Sequence, residues 1–518
     1  MTLTHPGKAV QPKGLVREPL FPLAVRPVLL IAAAVAIALL LTSPRYGYFA
    51  DELYFIAAGH HLAWGYADQP PLIPLIASTL DTLFPGSLVA LRIPPMLVTA
   101  AGVVVTALIA RELGGDRRAQ MLAAGAWAVT VQFASAGHLL ATWSFDPFLW
   151  TVICWLVVRW TRCRRDHLLL WAGVITAVAL QVKFLIPVWW LCVGVAALAT
   201  GPRELLRRPM LWCGAGFAAL TMVPTLLWQH AHGWPQLRMP AAIAAENWYG
   251  WLFLPTAVAC AGLVGGAAAC YGSWRLLRSP NLHPYRYLGW AAVGTTAIFL
   301  LADGRPYYVA GLFGLLYAVA AVEAPKFPGW LTGTAFAVSA CLALAALPVL
   351  PVSSIQRFDT FGRGSIGWPQ LTSAVADAYH RAPPRTAVIT HDYWSAGSLH
   401  HYGSAAGIPE AYSGSRGFWY LGRPPEDTEH VLYLGGTREY LLRSFRDVRP
   451  MTTVDTPLDT YYEGTTIWLA SGPRRPWAEL WPQFRRMGIF DGTTGSGTEL
   501  PGAQTTSAFT AATAAVPS

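Results

Sequence analysis

Three carboxylates stand near the start of the chain: Asp51, Glu52 and Asp68, inside YGYFADELYFIAAGHHLAWGYADQPPLIP at residues 46–74. Acidic residues are scarce, with 28 Asp and Glu in 518 residues, so this grouping stands out. The stretch also holds His60, His61, Gln69 and a Pro70-Pro71 break, and its gaps are filled by aromatic rings. It follows a long apolar segment directly, so these carboxylates lie beside lipid. Ionisable groups there are costly and point to chemistry at the membrane surface. A carboxylate beside a partly dry pocket can take the proton of a hydroxyl nucleophile as a new bond forms. Asp51 is the first candidate for that base; the alternative is a helix-start carboxylate acting on the helix dipole. Glu52, one residue along a helix, points about 100° away. It either orients Asp51 or shares a metal with it.

Cations form the second group. Lys183 is the single lysine expected on the outer side, between two apolar spans, and Arg305 stands likewise before Tyr307 and Tyr308. Such cations can neutralise a phosphate through charge-assisted hydrogen bonds; the alternative is snorkelling to lipid headgroups. Asp68 and Gln69 precede the prolines, where Asp68 either contacts substrate hydroxyls or caps a turn. Asp146 is either a further polar contact or, with Pro147, an N-cap and first helical residue. His61 and His60 have no partner at metal-ligand spacing; one of them packs in the helix or contacts substrate.

The elements that must position these residues are membrane helices. The chain is 54% hydrophobic and 13% charged, against about 25% charged in soluble proteins. Apolar segments recur at 27–43, 88–110, 119–136, 144–160, 167–182, 184–200, 209–228, 251–274, 287–302, 306–322 and 329–350. That gives about eleven spans of near-bilayer length. Alternate gaps carry the positive charge: Arg111, Arg117 and Arg118, then Arg159 to Arg165, then Arg203 to Arg208, then Arg275 to Arg286, then Lys326. The positive-inside rule places the N-terminus in the cytoplasm and everything after about residue 351 outside, together with the 46–88 stretch. In that stretch two helices are expected along the outer surface, Asp51–Trp64 and Leu72–Leu83. The formal charge of +9 is therefore a topology signal, and nucleic acid is not expected as a partner.

From Ser353 polar residues return. The pattern predicts helices at Gln370–Arg381 and Thr437–Phe445, and strands at Thr386–Thr390, His430–Leu434 and Thr465–Ala470. The domain plan is a cytoplasmic basic tail (1–26), a transmembrane domain (27–351) with its first extracytoplasmic loop at 44–88, a small extracytoplasmic α/β domain (352–490) and a disordered tail (491–518). The seven cysteines lie in or beside apolar segments and read as small buried hydrophobes. No P-loop, HExxH or CxxC is present.

The run GYFADELYFIAAGHHLAWGYADQPPL resembles the first extracytoplasmic loop of the GT-C membrane glycosyltransferases. SAGHLLATWSFDPFLWT (135–151), LQVKFLIP (180–187), GRPYYVAGLFGLLYA (304–318), GWPQLTSAVADAY and THDYWSAGSLHHYG extend the likeness over residues 27–470. It is closest to the bacterial RgtA/B/C/D-like branch related to protein O-mannosyltransferases (family 39) and aminoarabinose transferases. The resemblance implies a polytopic α-helical membrane protein of GT-C architecture in the bacterial cytoplasmic membrane. It also implies transfer of a hexosyl or pentosyl group from a polyprenyl-phosphate sugar donor to an envelope acceptor (lipid, glycan or protein hydroxyl). Asp51-Glu52 matches the family's acidic motif. Where the aminoarabinose transferases carry a phosphate-contacting lysine before the prolines, this chain has the uncharged Gln69. No cofactor is required by these residues; a divalent cation, Mg or Mn, on Asp51 and Glu52 is left open. The rival reading is a secondary transporter of a polar solute, which predicts paired halves with broken helices at the midplane.

Overall fold

The computed structural model describes residues 20–246, 249–355 and 360–488. The tail expected to be disordered, and residues 1–19 of the basic tail, lie outside them. Fifteen helices run through the first part of the chain: α1 (Val25–Thr42), α2 (Ala50–His60), α3 (Leu72–Leu83), α4 (Leu88–Glu112), α5 (Arg117–Ala128), α6 (Val131–Gly137), α7 (Thr142–Cys163), α8 (His167–Val182), α9 (Ile186–Ala199), α10 (Pro209–Ala231), α11 (Met239–Glu246), α12 (Phe253–Arg278), α13 (Arg286–Leu301), α14 (Phe313–Glu323) and α15 (Gly329–Ala345). Among the described residues, five helical stretches are long and apolar enough to cross a membrane: Val25–Thr42, Leu88–Glu112, Pro209–Ala231, Gly250–Arg278 and Pro306–Glu323. α3, α8, α9 and α15 are shorter apolar helices.

The 119–136 segment, expected as one span, is two helices. The chain breaks at Thr130, whose hydroxyl donates to Ala126 O and Tyr317 Oη at 2.8 and 3.1 Å. A hydroxyl bonded one turn back competes with the helix ladder and bends the chain. The first surface helix ends at His60 and not at Trp64, since Tyr66 Oη takes over Ala58 O and anchors the following loop. Asp146 and Pro147 lie inside α7, which begins at Thr142, so they do not form the expected cap.

The last part of the chain is a mixed α/β domain. It comprises α16 (Thr360–Arg363), α17 (Trp368–His380), β1 (Thr386–Thr390), α18 (Tyr393–Tyr402), β2 (Ala411–Ser413), β3 (His430–Leu434), α19 (Arg438–Leu442), β4 (Phe445–Thr453), β5 (Thr466–Pro473) and α20 (Trp477–Phe484). The sheet order is β2-β1-β3-β5-β4. β1 pairs in parallel with β2 and β3, and β5 runs antiparallel between β3 and β4. Phe445, expected as the end of a helix, opens β4.

The two faces of this sheet have different cores. Ile389, Val431 and Tyr433 pack with Leu480, Trp481 and Phe484 of α20. Their neighbours Val388, Leu432 and Leu434 join α17, α18 and the membrane domain in one continuous core. This is the period-two alternation of a strand used on both sides. Trp368 Nε1 donates to Tyr48 O at 2.9 Å and Ala50 N to Gly364 O at 2.9 Å, tying the domain to the loop that carries α2.

Candidate active site

A cavity of about 450 Å³ lies where α2, the α8–α9 turn, the segment after α13 and the C-terminal domain meet. Asp51, Asp68, Gln69, Lys183, Arg305, Tyr307 and Tyr308 all line it. Phe184, Leu185, Val188, Ile243, Ile298 and Phe299 give it an apolar flank.

Asp51 sits in the first turn of α2, where the helix dipole favours a carboxylate. Its Oδ1 accepts from Tyr393 Oη at 2.9 Å and from Trp394 Nε1 at 2.8 Å. Asp68 follows in the loop after α2, and its Oδ1 accepts from Tyr54 Oη at 2.8 Å. Burial raises the Asp68 carboxyl above the usual range, while Arg416 and the Tyr54 hydrogen bond draw it back. Gln69 is buried and its Nε2 has no hydrogen-bond partner, leaving a donor for a ligand.

Lys183 occupies the tight turn between α8 and α9, extended at φ −160°. Its ammonium lies 5.0 Å from the Tyr307 ring centroid and 4.5 Å from that of Tyr308. Those rings hold a cation by their quadrupoles without neutralising it. Arg305 precedes a 3-10 turn at Pro306–Leu312; it donates to Tyr307 Oη at 3.2 Å and to Glu246 Oε2 at 3.3 Å. Asp146, 4% exposed, accepts from Trp150 Nε1 at 3.1 Å within electrostatic reach of Lys183.

Glu52, His61 and Asp146 are not among the lining residues. Glu52 is fully buried, and each of its oxygens takes two N–H donors. Oε1 accepts from Arg92 Nε at 3.0 Å and Leu140 N at 2.9 Å. Oε2 accepts from an Arg92 terminal nitrogen at 2.7 Å and Phe49 N at 2.8 Å. A cation shared by Asp51 and Glu52 does not fit, because Glu52 has no lone pair left for it. Among the described residues no three His, Cys, Asp or Glu side chains converge on a metal position. His61 Nδ1 bonds Ala57 O at 3.1 Å, and its Nε2 lies 3.7 Å from Glu410.

Residues not singled out from the sequence complete the cavity. Arg416 follows β2 and binds Glu246 through two bonds of 2.7 and 2.6 Å. It is held at φ +47°, a left-handed conformation that costs a non-glycine residue about 1–3 kcal/mol and clusters at functional sites. Gly417 follows; a Cβ there would strike Tyr54 Oη and come within 2.9 Å of Asp68 Oδ1. One usable signal existed in the sequence: SGSRGFWYLG sets a single arginine between small residues and three rings. Arg416 and Tyr393 reach the cavity from the carboxyl ends of β2 and β1, the edge where open α/β sheets bind ligands.

Residues 68–228 match the sequence profile of the dolichyl-phosphate-mannose-protein mannosyltransferase family. The structure matches ArnT from Cupriavidus metallidurans bound to undecaprenyl phosphate, at 14% identity and TM-score 0.58, over 86% of this chain and 97% of that one. The apo form of that protein matches with TM-score 0.59, at 14% identity, over 86% and 98% of the two chains. The chain has the fold of that ArnT, and residues 68–228 carry the mannosyltransferase family's sequence pattern. The oligosaccharyltransferase of Archaeoglobus fulgidus, in complex with Zn and sulfate, overlaps less, with TM-score 0.42 at 14% identity over 79% of this chain and 68% of that one. That overlap is too slight to bear on the site. No curated protein matches the sequence. A sheet domain following the helices is not what the transporter reading predicts.

Proposed function

We propose that the chain moves a sugar from a polyprenyl-phosphate donor to a hydroxyl of an envelope lipid, glycan or protein on the outer face of the cytoplasmic membrane. One observation carries this reading: carboxylates, cations and an apolar flank share a single cavity. The acceptor oxygen attacks C1 of the sugar and the bond from C1 to the phosphate oxygen breaks. Its electron pair leaves with the polyprenyl phosphate, and the acceptor proton passes to Asp51. Lys183, Arg305 and Arg416 neutralise the charge on the departing phosphate. The apolar flank takes the first isoprene units, and Asp68 and Gln69 hold sugar hydroxyls. The undecaprenyl phosphate bound by the ArnT of similar fold supports this assignment.

The test is Asp51→Asn in cells that lack the native copy, read by mass spectrometry of envelope lipids and glycans. Loss of a general base costs roughly 10²–10⁴-fold, so the sugar product disappears while the protein still inserts. An unchanged product sinks the proposal.

A further inference from the structure

We infer that Tyr393 and Trp394 of the C-terminal domain are positioning residues for Asp51, so that this domain is a working part of the site. The inference deepens the proposed role of Asp51 as the base and rests on it.

Both donors bind the same oxygen, Oδ1, at 2.9 and 2.8 Å. An aspartate carboxylate turns easily about its last bond. Two donors on one oxygen fix its plane and leave Oδ2, which takes no hydrogen bond among the described residues. That oxygen is then the one open to an acceptor proton. Neither donor competes for the proton. Indole N–H only donates, and burial, followed by the charge of Asp51, holds the Tyr393 hydroxyl protonated well above the usual tyrosine range.

The donors are themselves held. Asp392 caps α18 through Ser395 N and Ser395 Oγ, each at 2.8 Å, and so sets the turn from which both rings project. Tyr393 lies edge-on to Tyr54, centroids 4.8 Å apart, with the Arg416 guanidinium 5.4 Å from its ring centroid. Gly397 lets α18 sit against α2: a Cβ there would come within 3.0 Å of the Leu53 carbonyl carbon and Tyr54 N. A domain that only covered the membrane part needs none of these bonds to reach the reacting carboxylate.

The experiment uses the full chain in lipid nanodiscs and asks how Asp51 reacts with a water-soluble carbodiimide plus glycine ethyl ester between pH 4 and pH 8. Labelling is mapped by peptide mass spectrometry on wild type, Tyr393→Phe and Trp394→Phe. A carboxylate freed from one of its two donors turns more easily and presents both oxygens to the reagent. Each variant is expected to speed the labelling of Asp51 several-fold, with that of Asp68 unchanged. A purely packing role would loosen both carboxylates alike and speed both. An Asp51 labelling rate that is unchanged in both variants overturns the inference. Binding of undecaprenyl phosphate to the wild-type nanodiscs, measured in parallel, reports on the proposed function separately.

Discussion

Asp51 and Glu52 are chain neighbours with opposite surroundings. Asp51 faces a cavity and keeps one oxygen open. Glu52 faces inward, where Arg92, itself 1% exposed, also binds Ser43 O and Gly47 O at 2.7 Å. That single pair ties the end of α1, the start of α2, α4 and the loop before α7 together. Removing one partner strands a buried charge, so Arg92→Met is expected to cost about 3–5 kcal/mol. Thermal unfolding in detergent measures this, and the double variant Arg92→Met with Glu52→Gln should recover most of the loss. Asp51, Asp68, Lys183 and Arg305 could be singled out from the sequence because charge is rare in this membrane domain. Tyr393 and Trp394 could not, because aromatic residues are ordinary in a solvated domain, and Arg416 was marked only by the small residues and rings around it. Glu52 was grouped with Asp51 because adjacency along the chain says nothing of which side chain turns inward.

The contact between α2 and α18 carries the site. Near the far end of α2, His60 Nδ1 meets His400 Nε2 and His60 Nε2 meets Asp81, both at 3.0 Å, with His61, His401 and Glu410 close by. Burial, then the neighbouring histidines, pushes His400 down to about 4. An unfolded histidine titrates near 6.5. Between those values the unfolded chain takes up a proton that the folded protein refuses. Stability is therefore full above about pH 6.5 and is lost as pH falls towards 4. The melting temperature is expected to drop by roughly 2–4 °C between pH 7 and pH 5, and His400→Gln should flatten that drop. A melting curve of the variant with the same acid slope as wild type removes His400 from the account. At this scale β1 and β3 were legible as short apolar runs. β4 was not, because Arg446, Asp447 and Arg449 give an exposed edge strand the look of a loop. α18 was hidden by Ser395, Gly397 and Ser398, poor helix formers that here serve packing.

Across the whole molecule, charge separates the ends of the bundle. Glu112 pairs with Arg159 and Arg162 at 3.6 and 2.6 Å, and Arg275 pairs with Glu323, at the basic ends of α4, α7, α12 and α14. The carboxylate-bearing cavity and the sheet domain lie at the other. With the positive-inside rule this supports the proposed placement of the cavity on the outer face. In a background with the seven native cysteines replaced, Glu410→Cys should react with a membrane-impermeant maleimide on intact cells and Lys326→Cys should not. The reverse pattern removes the proposed outward orientation. The helical membrane class was legible from composition, and the sheet domain from the change after Ser353. The eleven expected spans were harder to read, because the apolar run 119–136 breaks into two helices and α8, α9 and α15 are short of full spanning length.

Asp51 precedes Tyr393 by 342 residues. A ribosome finishes the carboxylate, and the membrane receives it, long before the two donors are made and exported. If Asp51 is the proposed proton acceptor, the growing chain holds it without its two donors until synthesis is nearly done. A protein cut short after α15 is then expected to be inserted and idle, so the order of translation would itself guard against premature turnover.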